Sequence, residues 1–224
     1  NFLLTITTIV VNFFLAFMLV YASDWTNDNN FGLLHLLNSS TLLSIIIGVL
    51  LLDLVGAYLP HLVQHKVKLL WYIHIVHHTD QNVDTTTANR HHPFESIVRF
   101  IFTLTGIIIS GAPIGLVLMY QSLSVIFSQF NHANIQISDK VDKVLSYIIV
   151  SPNMHKVHHH FKLPYTDSNY GNIFSLWDRL FGTYMELNKN QIIYGVDTDL
   201  DEIQNSKFMS LIERPFKKWS EYFN

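Results

Sequence analysis

No cysteine occurs in these 224 residues, which excludes disulfides, thiolate metal sites and cysteine nucleophiles within the chain. Charge is scarce too. Asp, Glu, Lys and Arg make up 14% of residues against 49% hydrophobic, too little charge for the surface of an ordinary soluble domain. Lys and Arg are missing from the whole stretch before Lys66, where the first of all 14 stands. With a formal net charge of -3 at pH 7 there is no basic field to draw in nucleic acid, so no such partner is expected. A haem-attachment Cys-x-x-Cys-His and a Gly-x-Gly-x-x-Gly loop are also absent, so any electrons the chain uses are expected to come from separate proteins. The first residue is Asn1 rather than Met, as expected of a start that has been trimmed or lost.

What the chain has instead is long apolar runs. Phe2 to Tyr21 carries no charge, and about 20 such residues suffice to span a hydrocarbon core. Ser23 to Asn38, with Asp24 and Asp28, reads as a short polar loop, and Thr41 to Pro60 as a second span. Ile97 to Phe130 is long enough for two short helices meeting at Ser110-Gly111-Ala112-Pro113. The fold class expected is therefore an all-α integral membrane bundle of about four transmembrane helices, one domain over residues 1–224. Placing every Lys and Arg after the second span puts that side in the cytoplasm. Residues 185–224, acidic and then basic through Arg214-Pro215-Phe216-Lys217-Lys218-Trp219, read as a surface tail.

Histidines gather on that basic side. His61 and His65 are four apart, His74, His77 and His78 repeat the spacing i, i+3, i+4, and so do His155, His158 and His159. Residues at these intervals share a helix face, so each cluster can aim two or three imidazoles at one spot, and the supply suits two metal ions. Imidazole suits iron, zinc, copper and nickel, so residue type leaves the metal open. His92 and His132 stand alone and are open as ligands. His35 reads as a surface or capping residue, and His91 and His160 as doublet neighbours pointing elsewhere. Asp53, an acid inside the second span, lies on a four-residue stripe with Ala57, His61 and His65. It is expected either to orient a histidine by accepting its second N–H or to make a plain helix–helix hydrogen bond.

Five blocks carry a resemblance: Asp53 with Tyr58-Leu-Pro-His61-x-x-x-His65; Trp71-x-x-His74-x-Val-His77-His78-Thr-Asp80; Thr86-Thr87-x-x-Arg90-x-His92-Pro93-x-Glu95; Phe130-x-His132-Ala-Asn134; and Pro152-x-x-His155-x-Val-His158-His159. They close with Asn169-Tyr170-Gly171-Asn172 and Trp177-Asp178-Arg179-Leu-Phe-Gly182-Thr183. In order and content they resemble the fatty acid hydroxylase/sterol desaturase superfamily, over Asp53 to Tyr184, with the short chain closer to its compact bacterial members. Leu62 departs from the family, which often has Arg after the first histidine, and His91 and His160 are extra.

The resemblance implies a catalytic region at 53–184. It implies a membrane non-haem di-iron oxygenase that hydroxylates or desaturates a C–H position of a lipid, with O2 and electrons from an external donor protein and its reductase. It implies a cytoplasmic histidine cap with two iron ions, and zinc as an ion that purification can leave in their place. It adds His92 and His132 to the ligands His61, His65, His74, His77, His78, His155, His158 and His159. Asp80, Glu95, Asn134 and Asp178 join Asp53 as residues expected either to brace the ligands or to serve as helix caps and ordinary ion pairs, with Arg90 paired to Glu95. The alternatives are a zinc-dependent membrane hydrolase or a non-catalytic protein stapled by metal. A hydrolase needs only three protein ligands and a Glu base, which ten histidines oversupply.

Overall fold

The computed structural model describes residues 1–37 and 39–223; Asn38, at the end of the expected loop, and Asn224, at the end of the tail, lie outside the described residues. Four helical stretches are long and apolar enough to cross a membrane. Helix α1 (Phe2–Asp28) runs away from the later histidine region, and α2 (Leu33–Leu36) is a single turn at the far end. The chain returns through α3 (Thr41–Asp53), a π-helical turn at Leu54–Tyr58 and α4 (Leu59–Lys66), and α5 (Lys68–His78) follows. Helix α6 (Pro93–Ser110) goes out and α7 (Ile114–His132) comes back. The cap is completed by α8 (Asp139–Leu145), α9 (Pro152–His158), α10 (Leu176–Leu180), α11 (Glu202–Ser206) and α12 (Phe208–Phe223). Among the described residues there is no strand, only two isolated bridges.

The expected loop from Ser23 is instead the last turn and a half of α1. Ser23 is fully buried and donates to the Ala112 carbonyl (2.8 Å), tying the end of α1 to the α6–α7 turn. That turn sits where Ser110–Pro113 places it in the sequence. Gly111 takes φ +68° there, and a Cβ on it would meet the Phe31 carbonyl at 2.3 Å, a place only glycine fits. At the other end of α1, Asn1 bonds Asp80, Thr86 and Arg90. One end of the bundle therefore carries all the histidine clusters, and the other carries the α1–α3 connection and the α6–α7 turn.

Ser40 caps α3 and Ser151 caps α9, each accepting from the N–H three residues on. Pro60, which cannot donate within a helix, follows the π turn. Residues 185–223 lie against the cap: Leu211 packs with Leu4 and Val76, and Trp219 Nε1 donates to the Leu69 carbonyl (3.0 Å). A core around Leu52, Ile107, Val117 and Tyr120 joins α3, α6 and α7.

Candidate metal centre

The clusters converge on two groups. One ring nitrogen from each of His61, His65, His74, His78 and His158 falls within 4.8 Å of the others, and His77, His132, His155 and His159 form a second such group. Each triplet splits between them. On α5 the i, i+4 pair His74/His78 joins the first group and His77 the second; on α9 the pair His155/His159 joins the second and His158 the first. Residues at i and i+4 stand about 40° apart around a helix, while i+3 lies on the other side of i, so one helix can serve two neighbouring points. The two helices thus supply both groups reciprocally.

Hydrogen bonds to the outer nitrogens fix which nitrogen faces inward. Nδ1 of His61 lies 2.8 Å from the Tyr170 carbonyl, that of His158 lies 2.6 Å from the Ser168 carbonyl, and that of His132 lies 2.7 Å from the Ser128 carbonyl. A carbonyl only accepts, so each of these rings carries its proton on Nδ1 and presents a bare Nε2 lone pair. His65 Nδ1 is 3.3 Å from Asp167 Oδ1, and His74 Nδ1 is 3.1 Å from Glu95 Oε2, off the line of a hydrogen bond.

These inward nitrogens have no satisfactory partner within the protein. In the first group all five Nε2 atoms are buried without a hydrogen bond. In the second, His132 Nε2 lies 3.0–3.2 Å from Nε2 of His77, His155 and His159; a single lone pair can accept from only one of the three. Each unsatisfied buried group costs about 1–3 kcal/mol, and a shared cation at each convergence point would relieve the inward nitrogens. Burial, reinforced by neighbouring imidazoles, holds His77, His78, His155, His158 and His159 well below the usual histidine pKa, in the neutral form a metal needs. The residues fit two metal ions bound by nitrogen.

His92 belongs to neither group. Pro93 starts α6, which makes His92 the N-cap: its Nδ1 accepts from Phe94 N–H (3.2 Å) and its Nε2 lies 3.2 Å from the Ile212 carbonyl. Its neighbour His91 is the one that faces the centre. Its ring stacks on His77 at 4.5 Å, with Nε2 3.0 Å from the Ala88 carbonyl and Nδ1 3.0 Å from Glu95 but off the line of a hydrogen bond, so it buttresses a ligand by packing. His160 turns to Ile193 N–H and His35 is exposed, both away from the groups.

Of the five bracing acids and amides, Glu95 alone touches cluster rings. Asp53 does not orient a histidine: it accepts from Ile173 N–H, Phe174 N–H and Trp177 Nε1. The π turn at Leu54–Tyr58 inserts an extra residue and breaks the four-residue stripe to His61. Asp178 acts one step removed. It accepts from Tyr170 N–H, Gly171 N–H and Thr183 Oγ1, holding the turn whose Tyr170 carbonyl locks His61. Burial lifts its carboxyl to about 6 despite those donors. Asp80 bonds Asn1 and Thr87, and Asn134 is exposed. Arg90 does not pair with Glu95; it donates to the carbonyls of Val76 and Asn205 and to Thr79 Oγ1. Asp167, Ser128 and Ser168 were not readable as partners, since two act through backbone carbonyls and Asp167 is brought in by folding across about a hundred residues.

A cavity of about 360 Å³ opens between α1, α6 and α7 and reaches His91 and Ser128 beside the second group. Such a volume suits one small amphiphile or part of a lipid chain.

Comparison with known proteins agrees with this geometry. A family model described as fatty acid hydroxylase matches residues 45–183. Among curated proteins the chain is similar to ornithine lipid hydroxylase OlsE of Rhizobium tropici, 24% identical over 62% of this chain and 41% of that protein. It is also similar to alkylglycerol monooxygenase of Danio rerio, 32% identical over 63% of this chain and 30% of that one, and to the Homo sapiens protein of that name, 24% identical over 75% and 36%. The chain thus spans less than half the length of these relatives. No solved structure matches.

Proposed function

The chain belongs to the fatty acid hydroxylase family, and from that premise we propose that it is a membrane di-iron oxygenase that hydroxylates or desaturates a C–H position of a lipid. O2 and two electrons from an external donor protein and its reductase complete the reaction. The observation that carries this reading is nine histidines in two buried groups, with inward nitrogens that nothing in the protein satisfies, beside a cavity between apolar helices that reaches His91 and Ser128. When bound, two redox-active irons would supply the oxidising power for an unactivated C–H bond.

The chain's own residues supply position and dryness. Backbone carbonyls hold the rings of His61, His132 and His158, so these three nitrogens are aimed before any ion arrives. The apolar helices keep bulk water from a reactive oxidant and admit a lipid sideways. Nine imidazoles with no carboxylate among them exceed the three ligands of a zinc hydrolase. The absence of Lys and Arg from the far-end connections supports a cytoplasmic histidine end.

Elemental analysis of protein purified in detergent tests this, with spectroscopy of the iron before and after reduction and lipid profiling of expressing cells. The expected result is two irons per chain that accept electrons, and an oxidised lipid absent from control cells. Zinc that persists after iron-replete expression, with no redox response, would overturn the oxygenase reading.

A further inference from the structure

The wall of the cavity changes character along its length. Helix α6 leaves the histidine end at Pro93, so Arg99 stands about 9 Å along it, and α7 returns to that end with Gln129 about 5 Å and Gln121 about 16 Å from His132 along the helix axis. On α1, Asn12 lies nearer the histidine end than Leu15 and Leu19. Beyond them the lining is aliphatic, with Ile114, Val117 and Leu118 at the far end of α7. The polar part is the part close to the metal groups.

These polar groups make no hydrogen bond within the protein. Among the described residues, no hydrogen bond uses the side chain of Asn12, Arg99, Gln121 or Gln129. The one acid paired with Arg99 among the described residues is Glu95, at the long distance of 4.0 Å, with His91 Nδ1 3.0 Å from the same oxygen. Arg99 therefore has one long ion pair and no hydrogen bond, its guanidinium is partly open to the cavity, and the planar fork of donors it keeps free suits a carboxylate or phosphate.

We propose that the polar half of the cavity is a head-group subsite in which Arg99, assisted by Gln121 and Gln129, binds the carboxylate or phosphate of an anionic lipid. The tail of that lipid lies along the aliphatic half, and the carbons beside the charged group face the histidines. This deepens the lipid-oxidising reading by naming the substrate class: the oxidised position is next to an anionic head, not deep in a chain.

Equilibrium binding to the protein as purified in detergent tests it, with labelled palmitate, hexadecyl phosphate and hexadecanol as three probes of one chain length. At least one anion is expected to bind about tenfold tighter than the alcohol, the usual scale for a charge-assisted hydrogen-bond pair. Whichever anion binds tighter identifies the head as carboxylate or phosphate. Arg99→Gln removes the preference and leaves hexadecanol affinity unchanged, which also shows that the cavity survives; Arg99→Lys keeps most of the preference. Equal binding of anion and alcohol by the wild type, or an Arg99→Gln protein that still prefers the anion, overturns the subsite. Metal content and lipid oxidation measured on the same preparation separate the two ideas. Arg99-dependent binding without iron or oxidation sinks the oxygenase reading alone, and oxidation without an anion preference sinks only the subsite.

Discussion

An imidazole with Nδ1–H held by a carbonyl can offer a metal only its Nε2, and it offers it in a fixed direction. His158, held by Ser168, is in that position, and it is also the one histidine of α9 that crosses to the first group. His158→Ala should therefore lower metal content from two ions toward one, because four rings remain in its own group but the ring that links the two helices is lost. His92→Ala should keep full metal content and cost about 1 kcal/mol as a lost helix cap. Metal analysis of the two purified variants decides, and metal loss in His92→Ala with none in His158→Ala would reverse the assignment. Spacing in the sequence was enough to find eight of the nine converging histidines, since i, i+3, i+4 repeats are visible without a fold. His92, which the resemblance adds to the ligands, carries a local signal of its own: the residue before a proline that opens a helix is an N-cap, and its side chain turns back to the helix start.

At the scale of elements, the histidine end depends on how the far end is closed. Gly32 and Gly111 sit at φ +109° and +68°, and each is packed against the other's backbone where α1–α2 meets the α6–α7 turn. Gly111→Ala adds a Cβ against the Phe31 carbonyl in a left-handed conformation, which costs about 1–2 kcal/mol for the backbone alone. The melting temperature in detergent should fall by about 5 °C or more. Gly115→Ala, with open space around its Cβ, should leave it unchanged; equal melting of both variants would mean that this corner does not hold the helices. The turn itself was legible from Ser110-Gly111-Ala112-Pro113, and the spans from their apolar runs. The π turn was not, because nothing in Leu54-Val55-Gly56-Ala57-Tyr58 marks an extra residue, and that one residue rotates Asp53 off the histidine stripe and onto Trp177. The extension of α1 through Asp28 was missed for a related reason: polarity marks where a membrane ends, whereas a helix ends where its hydrogen bonds do.

For the whole molecule, the sidedness of the bundle and the chemistry are one question, since an electron donor must reach the end that carries the histidines. Asn1, the α4–α5 junction, the start of α6 and the end of α7 all lie at that end, and every Lys and Arg is at that end or on the helices rising from it. The far end, made among the described residues by 29–37, 39–40 and 110–113, has no Lys or Arg. Basic residues stay on the cytoplasmic side during insertion, so the histidine end should face the cytoplasm. The missing cysteines make this simple to test, because a single introduced thiol is the only one present. Asn29→Cys, exposed at the far end, should react with a membrane-impermeant maleimide in intact cells. Lys189→Cys, exposed on the cap, should react only after the membrane is opened. The opposite pattern would put the histidines outside and require a donor on that side. Labelling of both in intact cells would mean that the four apolar helices do not cross the membrane as a bundle.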